Sequence, residues 1–304
     1  MVERLAQGPD ETTVAAFVAD ALGQQPTRIA RTHAFATNAV YEVDAGDRLL
    51  MVKSSMNRDA LRGEVWACER ASAVGFPAPE ILVGVRRIGA DARMNAYAMR
   101  RIPGDPITRG HPAFRELGSV LRALHAVKLS GFGTLAEAAW NQRGEFTLRH
   151  RSWLAFLRGI CTDTRGLANS CALAMPVADA VEAVMDAHAA ALSNVAGSLC
   201  HGDLKANHIF VEGERLAGVI DWGDAVVGDP LWEIARYAHR GDAQSLSVLL
   251  SGYDSDGAMA DRVAWRIPLY SVLWMLVDAV VDHRLGSSVD RLLNAAMRDI
   301  SRAS

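Results

Sequence analysis

The alternation of hydrophobic and polar positions changes character once along the chain, at the proline- and glycine-rich segment 103–106. Before this segment, apolar residues mostly alternate with polar ones in short runs, which is typical of strands. Beyond it, long stretches rich in alanine and leucine repeat at helical spacing, and one short strand-like island interrupts them at 208–221. The pattern therefore predicts two parts, 1–104 and 105–304, that meet at this breaker.

The first part is predicted to hold a small antiparallel sheet with one helix inserted in it. An apolar repeat that starts near Thr12 and stops at Gly23 predicts a helix ahead of the sheet. Turn residues separate the strand-like runs that follow, and the inserted helix stops before a proline-rich breaker. The predicted strands are 29–35, 39–43, 49–54, 81–86 and 96–102, and the inserted helix is 59–74.

The second part is predicted to be mainly helical. The predicted helices are 112–127, 148–158, 177–195, 230–239, 243–250, 258–284 and 289–302, and the island supplies strands at 208–212 and 216–221. A run of strands followed by a run of helices is typical of an α+β protein. We therefore expect an antiparallel sheet in the N-terminal part and helices in the C-terminal part.

Composition narrows the classes of function. The 304 residues are half hydrophobic, and the net charge of −3 comes without a basic block, so neither a nucleic-acid nor a membrane partner is expected. The four cysteines show no metal-site spacing, the N-terminus is polar, and Asp278 interrupts the most apolar stretch, so a cytoplasmic protein is expected. Only three of the 32 basic residues are lysines, and these are Lys53, Lys128 and Lys205.

Two carboxylates flank the strand-like island. Asp203 precedes its first strand in the segment HGDLKANH, and Asp221 follows its second strand in the segment IDWGD. A tight hairpin would return both carboxylates to the same edge. One carboxylate can then hold an attacking hydroxyl while the other holds a metal ion, which is the division of roles that phosphoryl transfer requires.

Three motifs, in this order and with compatible gaps, resemble the aminoglycoside and macrolide phosphotransferases, which are small-molecule relatives of protein kinases. They are HGD at 201–203, IDW at 220–222 and GDP at 228–230. The resemblance spans most of the chain and implies a protein-kinase-like bilobal fold. It implies that Asp203 is the catalytic aspartate and that Asp221 binds Mg²⁺.

The implied reaction moves the γ-phosphate of ATP or GTP to a hydroxyl group of a small molecule. Because the helical part carries the net negative charge, a cationic acceptor suits it, and an aminoglycoside-type antibiotic is the expected acceptor. Antibiotic resistance would be the consequence. The enzyme is expected to act as a monomer.

The resemblance gives two of the three lysines a role. Lys53 ends the third predicted strand and Glu64 lies in the inserted helix, which matches the kinase pair in which the lysine holds the α and β phosphates. Lys205 follows Asp203 by two residues, where protein kinases carry a lysine that contacts the transferred phosphate. Lys128, at a predicted helix end, receives no role.

The rest of the nucleotide site is implied to come from two backbone segments. The loop between the first two strands contains Thr37 and Asn38 and would cover the phosphates, although it has no glycine. The strand that leads into the 103–106 breaker would place the backbone from Met99 to Arg101 against the nucleotide base.

Several residues near the motifs have open assignments. His208 stands where the family usually places a metal-binding asparagine, and Asn207 is one position early, so either residue could serve the metal. Asp224 and Glu233 could line an acceptor pocket. His201 is interpreted as a structural histidine beneath the catalytic loop.

Two other functions stay open at this point. Macrolide kinases carry a histidine at the slot of His208, so the acceptor could be a macrolide, or a metabolite such as choline, a sugar or homoserine. A nucleotide-binding pseudokinase is the other alternative, and the missing asparagine and the glycine-free loop are its only support.

Overall fold

A five-stranded antiparallel sheet and one inserted helix form the N-terminal lobe, as predicted. The computed structural model describes residues 8–35, 38–89, 93–254, 257 and 260–303. Within these residues the sheet has the strand order β1-β2-β3-β5-β4. The elements of this lobe are α1 (Glu11–Leu22), β1 (Arg28–Phe35), β2 (Asn38–Ala45), β3 (Arg48–Ser55), α2 (Arg58–Ala73), β4 (Ile81–Arg87) and β5 (Asn95–Arg100).

Helix α1 covers one face of this sheet. Asp10 begins the helix by accepting a hydrogen bond from the Thr13 amide, and Gly23 ends it with a φ of 68°. Strand β2 alternates between buried and half-buried residues, and Tyr41 is one of its buried residues. These buried side chains pack with Phe17 of α1. The apolar residues of the alternating pattern in β2 therefore point into the core of this lobe.

The C-terminal lobe is mainly helical. Its longer elements are α3 (Ala113–Leu124), α4 (Trp153–Arg165), α5 (Ala174–Ala187), α6 (Ala189–Ser193), β11 (Ile209–Glu212), β12 (Arg215–Val219), α7 (Pro230–Arg240), α8 (Ala243–Tyr253), α9 (Ala260–Arg284) and α10 (Asp290–Ala303). The short strands are β6 (Asp105–Pro106), β7 (Gly133–Thr134), β8 (Ala139–Trp140), β9 (Phe146–Thr147), β10 (Ser198–Cys200) and β13 (Val226–Gly228).

The predicted helices of this lobe are all present, but some of their bounds differ from the prediction. The predicted helix 177–195 is divided into α5 and α6 at His188, and α4 begins at Trp153, five residues later than expected. Ser152 explains the late start, because its side chain accepts a hydrogen bond from the Ala155 amide and caps the helix. The short strands escaped prediction since two or three residues carry no periodic pattern.

Helix α9 is a core helix of this lobe. Residues 264–284 are long and apolar enough to cross a membrane by length and composition alone, but half of this stretch is buried inside the protein. The helix packs against α4, α7 and α10. Leu269, Tyr270 and Leu273 of α9 are completely buried in these contacts.

The two lobes share part of their cores. Two apolar clusters lie entirely in the N-terminal lobe, whereas the largest cluster joins Cys68 and Phe76 to the C-terminal helices. Strand β6 pairs with β11 directly after the connection between the lobes. Gly104 has a φ of +84° there, and a Cβ atom on it would lie 2.1 Å from the Val211 carbonyl oxygen. The division at residue 104 stays a prediction.

Candidate active site

The hairpin β11–β12 brings together the two carboxylates that flank it in sequence. Ile209 pairs with Val219 at the end of this hairpin, so the chain enters and leaves it at one edge. Ligand atoms of Asp203, His208 and Asp221 all lie within 4.8 Å of one another at this edge. The described residues therefore contain an acidic cluster where the sequence predicted one.

The loop before the hairpin depends on Gly202. Its φ is +87°, and a Cβ atom on it would lie 1.9 Å from the carbonyl oxygen of Asp224. Only glycine allows the backbone of this loop to approach that of the segment after β12 so closely. The HGD motif thus has a glycine for a steric reason.

Glu233 holds this loop from below and does not face a pocket. Its carboxylate accepts hydrogen bonds from the backbone N–H groups of His201 (3.2 Å) and Gly202 (3.3 Å). The His125 ring nitrogen Nε2 is 2.7 Å from the same carboxylate, and the Glu233 side chain has no exposed surface. The expectation that Glu233 binds an acceptor is therefore wrong, since no acceptor can reach it.

His201 has the structural role that the sequence indicated. Its Nδ1 accepts a hydrogen bond from the Asp203 amide (3.2 Å), and its Nε2 donates to the Ile220 carbonyl oxygen (2.8 Å). The residue is completely buried. These partners use both ring nitrogens and tie the loop to the end of β12.

Each oxygen of the Asp203 carboxylate has its own cationic partner. Oδ1 accepts hydrogen bonds from Arg236 Nε (3.0 Å) and Nη2 (2.8 Å), and Oδ2 accepts one from Lys205 Nζ (2.7 Å). Burial favours a raised pKa for Asp203, but the charges of Arg236 and Lys205 outweigh it and lower the pKa. The carboxylate is therefore ionised at neutral pH.

Arg236 is the site residue that sequence reasoning missed. It lies in α7, 33 positions after Asp203, and no motif marks it. A signal was nevertheless present. Glu233 and Arg236 are three residues apart on one helix and share a face, so the placement of Glu233 under the 201–203 loop predicts Arg236 there as well.

Lys53, Glu64 and Asp221 form a chain of charges across the two lobes. Lys53 Nζ lies 2.8 Å from Glu64 Oε2 and 3.4 Å from Asp221 Oδ1. Burial alone would lower the pKa of Lys53, but the carboxylates of Glu64 and Asp221 outweigh this effect and raise it. The lysine stays charged although only 7% of its surface is exposed.

Contacts from the C-terminal lobe fix helix α2, which carries Glu64. Gly63 packs so closely that a Cβ atom on it would lie 2.7 Å from the Leu135 carbonyl oxygen. The Trp66 ring meets Phe146 of β9 edge to face at 4.9 Å. The Arg62 guanidinium lies 5.0 Å from the Trp140 ring centre. The segment 133–147 therefore sets the position of Glu64.

We expect Gly63→Ala to weaken nucleotide binding. Alanine favours the helix by about 1 kcal/mol, but overpacking against the Leu135 backbone costs about 1–3 kcal/mol and pushes α2 away. The displaced Glu64 should raise the KM for nucleotide by roughly three- to tenfold, measured at saturating acceptor. Gly159→Ala in α4 is the control, since its Cβ would meet nothing closer than 3.7 Å. An unchanged KM in Gly63→Ala would contradict this account of α2.

Asp221 and His208 form the acidic end of the site. Asp221 is the one non-glycine residue with a positive φ (66°) in the described part of the chain. His208 Nε2 lies 3.5 Å from Asp221 Oδ2. Burial is the main cause that lowers the pKa of His208 to about 4, so the ring is neutral at pH 7.

This pair suits a cation. His208 Nδ1 lies 3.1 Å from the Asp203 carbonyl oxygen, which can only accept, so Nδ1 carries the proton of the neutral ring. The Nε2 lone pair then faces a carboxylate oxygen without a hydrogen between them. A divalent cation there would satisfy both atoms. Asn207 is exposed, whereas His208 is buried beside Asp203 and Asp221, which favours His208 of the two alternatives.

Asp224 lies beside these groups and is open to solvent. Although the residue is exposed, protein atoms around its carboxyl group desolvate it, and this effect first, followed by the carboxylates of Asp203 and Asp221, raises the pKa of Asp224 to about 6. A carboxylate of this kind gains from a nearby positive charge. Two residues, Asp224 and Glu233, were expected to bind the acceptor. Of these two, Asp224 is accessible to a ligand and Glu233 is not.

The predicted nucleotide-covering segments are only partly described. Thr37 lies outside the described residues, and Asn38 begins β2 opposite Ser55. Met99 lies in β5 between β3 and β4. The Arg101 amide donates to the Leu49 carbonyl oxygen (3.0 Å), so this N–H is not free for a nucleotide base. If Arg101 contacts the nucleotide base, it must therefore do so through an atom other than its amide nitrogen.

Lys128, which had no predicted role, is a structural residue. Its Nζ donates to the His125 carbonyl oxygen (3.0 Å) and to Ser198 Oγ (2.6 Å). A lysine at a helix C-terminus satisfies a free carbonyl group and favours the helix dipole. Lys128 therefore joins the end of α3 to β10.

The sequence of this chain resembles that of a known phosphotransferase. Viomycin phosphotransferase of Streptomyces vinaceus is 27% identical over 199 residues. These residues are 63% of this chain and 66% of the relative, so the match spans slightly less than two thirds of that protein.

Solved structures share the fold at lower identity. A protein assigned as a fructosamine-3-kinase from Thermobifida fusca superimposes with a TM-score of 0.73 at 23% identity, over 96% of this chain and all of that one. A thermostable mutant of an aminoglycoside phosphotransferase, in a ternary complex with AMP-PNP and hygromycin B, has a TM-score of 0.70 at 17% identity. That match covers 96% of this chain and 99% of the other.

These likenesses confirm the predicted fold, an antiparallel-sheet lobe followed by a mainly helical lobe as in small-molecule kinases. The family model of the phosphotransferase enzyme family matches residues 29–266, which include Lys53, Asp203 and Asp221. Because this match covers most of the chain, the protein belongs to the phosphotransferase enzyme family.

Proposed function

We propose that this protein transfers the γ-phosphate of ATP or GTP to a hydroxyl group of a small molecule. The observation that carries the proposal is that two sets of charged residues meet at one edge of the β11–β12 hairpin. The ionised carboxylate of Asp203 lies on one side, and the chain of Lys53, Glu64 and Asp221 lies on the other. This arrangement can hold an acceptor and a polyphosphate next to each other.

Lys53 and Glu64 would hold the nucleotide phosphates. Lys53 is buried and charged, and Glu64 orients it at a distance of 2.8 Å. It therefore offers a fixed cation that loses little conformational entropy when the phosphates bind. Asp221 and His208 would hold Mg²⁺, since their facing lone pairs fit a cation. When bound, Mg²⁺ neutralises charge on the phosphate oxygens. His208 is the proposed ligand, rather than Asn207.

Asp203 would hold the acceptor hydroxyl in line with the γ-phosphate. A carboxylate with a lowered pKa is a weak base, so it accepts the proton late, as the bond from phosphorus to the leaving oxygen breaks and the new O–P bond forms. The products are the nucleoside diphosphate and the phosphorylated acceptor. Lys205 would turn from Asp203 to the transferred phosphate in this step.

The proposed acceptor is a hydroxylated cation of the aminoglycoside antibiotic type, and resistance would follow from its phosphorylation. The supporting features are the exposed Asp224, whose pKa is raised by desolvation and then by the carboxylates of Asp203 and Asp221, and the overall net charge of −3. Among the proteins that this chain resembles in sequence, one is named viomycin phosphotransferase. We further propose a cytoplasmic monomer that binds no nucleic acid and does not span a membrane.

The test is acceptor-stimulated release of ADP or GDP by the purified protein. ATP and GTP are each supplied with Mg²⁺ and with a panel of aminoglycosides, macrolides, choline, sugars and homoserine, and the phosphorylated product is identified by mass spectrometry. We expect stimulation by an aminoglycoside, absence of it in Asp203→Asn, and loss of turnover in EDTA. Stimulation by a macrolide or metabolite alone would overturn the acceptor class. Nucleotide binding without turnover on any acceptor would overturn the enzymatic function in favour of a pseudokinase.

A further inference from the structure

We infer that Arg236 is a positioning residue of the transfer reaction, which fixes one oxygen of Asp203 so that the other faces the acceptor hydroxyl. The inference rests on the proposed function and deepens it. Arg236 lies in α7 and is 8% exposed, so it is beneath the catalytic loop and does not line the surface of the site. It would act on the substrates only through Asp203.

The contact with Asp203 is one-sided. Arg236 Nε and Nη2 both donate to Oδ1, at 3.0 and 2.8 Å, and neither of these contacts involves Oδ2. Two charge-assisted hydrogen bonds from one planar guanidinium fix the position of Oδ1 firmly and leave Oδ2 without a contact to Arg236.

Arg236 is itself held from two other directions. Its Nη1 donates to Asp278 Oδ1 at 3.0 Å, and its guanidinium lies 4.3 Å from the Trp274 ring centre. Asp278 is fixed in turn by Arg240 Nη2 (2.6 Å) and His239 Nε2 (2.8 Å). The planar fork is therefore locked before any substrate binds, as a positioning group must be.

The remaining oxygen of Asp203 has a partner that can leave. Oδ2 contacts Lys205, whose side chain is 31% exposed, whereas the Arg236 side chain is only 10% exposed. A flexible lysine at the surface can move to a phosphate, but the guanidinium stacked on Trp274 cannot. Oδ2 is thus the oxygen that receives the hydroxyl hydrogen bond and then its proton, while Oδ1 stays with Arg236.

The competing interpretation is that Arg236 is only a buried ion-pair residue that stabilises the fold. Asp278 separates the two interpretations, because it contacts Arg236 and not Asp203 among the hydrogen bonds of the described residues. Loss of Asp278 loosens Arg236 but leaves its contacts with Asp203. If Arg236 only stabilises the fold, substitutions of Arg236 and of Asp278 should lower the thermal stability by similar amounts. In that case kcat should change little in the variants that fold properly.

The experiment compares Arg236→Met, Arg236→Lys and Asp278→Asn with the wild-type protein, on the acceptor that the wild type phosphorylates. The readouts are kcat, the KM values for nucleotide and acceptor, the nucleotide Kd and the Tm. We expect kcat to fall by about 10²–10³-fold in Arg236→Met, with nucleotide Kd within about threefold of wild type. Arg236→Lys should recover little, because one ammonium cannot replace the fork, and Asp278→Asn should fall in between.

Arg165→Met is the matched control, since it removes a guanidinium that bridges Asp179 and Glu182, outside the Asp203 network, and kcat should stay unchanged. Addition of methylguanidinium to Arg236→Ala should restore part of kcat, which a structural role would not produce. In the Asp203→Asn background, Arg236→Met should cause little further loss of kcat. Should Arg236→Met fail to fold, Arg236→Lys and Asp278→Asn decide the question.

Two results overturn the inference. The first is kcat within about threefold of wild type in a folded Arg236→Met or, if that variant does not fold, in Arg236→Lys. The second is an undiminished effect of Arg236→Met on kcat in the Asp203→Asn background. If the wild type phosphorylates no acceptor, the proposed function fails and the inference fails with it. Turnover by the wild type with active Arg236 variants overturns the inference alone.

Discussion

Asp203→Asn is expected to reduce kcat by about 10³-fold while nucleotide affinity stays within about threefold of the wild-type value. Asparagine keeps the shape of the side chain and still accepts hydrogen bonds from Arg236 at Oδ1. It replaces Oδ2 by an NH₂ group that cannot accept the proton of a hydroxyl. Lys205 would also lose its anionic partner, which lies at 2.7 Å in the native protein.

The measurement is a single-turnover assay together with a nucleotide Kd from calorimetry, so that chemistry and binding are separated. Asp242→Asn is a suitable control, because Asp242 caps α8 and asparagine caps helices equally well. This control should leave kcat and Tm nearly unchanged. Turnover by Asp203→Asn within about tenfold of wild type would contradict the assignment of Asp203 as the catalytic carboxylate.

Gly202→Ala is expected to inactivate the protein by displacing the catalytic loop. The new Cβ would lie 1.9 Å from the Asp224 carbonyl oxygen, so the backbone must move, and the φ of +87° adds about 1–2 kcal/mol of strain. A shift of about 1 Å costs roughly 10²-fold in rate when reacting groups must align. We expect kcat to fall by at least about 10²-fold and Tm to fall by several degrees.

Gly213→Ala provides the matched control for this substitution. Gly213 also has a positive φ, of 58°, but nothing lies within 4 Å of a Cβ atom built on it. The control therefore carries the conformational strain without the overlap and should lower Tm slightly with kcat unchanged. Equal effects of the two substitutions on kcat would show that the contact with Asp224 does not matter for the loop.

The sequence predicted those parts of the fold that depend on repeated patterns. The alternation in β2 and the apolar repeats of the helices identify their elements because each repeats over several residues. The pairing of Asp203 with Asp221 was also predictable, since a short hairpin must return the chain to its starting edge. Lys53 and Glu64 followed from the resemblance, and their contact at 2.8 Å agrees with it.

Other parts of the site could not be read from local patterns. Glu233 looked like an acceptor ligand because its carboxylate stands near the motifs, but burial decides its role and burial depends on how α7 packs. The link from Asp203 through Arg236 to Asp278 joins three distant segments, and the spacing of Glu233 and Arg236 becomes a signal only once Glu233 is known to lie under the 201–203 loop. The open choice between Asn207 and His208 also needed the direction of a side chain, which depends on the turn at 206–208.

The docking of α2 on the segment 133–147 has a consequence for how such proteins can exchange parts by recombination. A crossover at residue 104 would combine an N-terminal lobe with foreign partners for Gly63 and Trp66, although both contact the C-terminal lobe closely. A chimera would preserve the nucleotide site only if the 133–147 segment travelled with the sheet. The stretch of chain that must stay together to keep the proposed nucleotide site is thus longer than the N-terminal lobe.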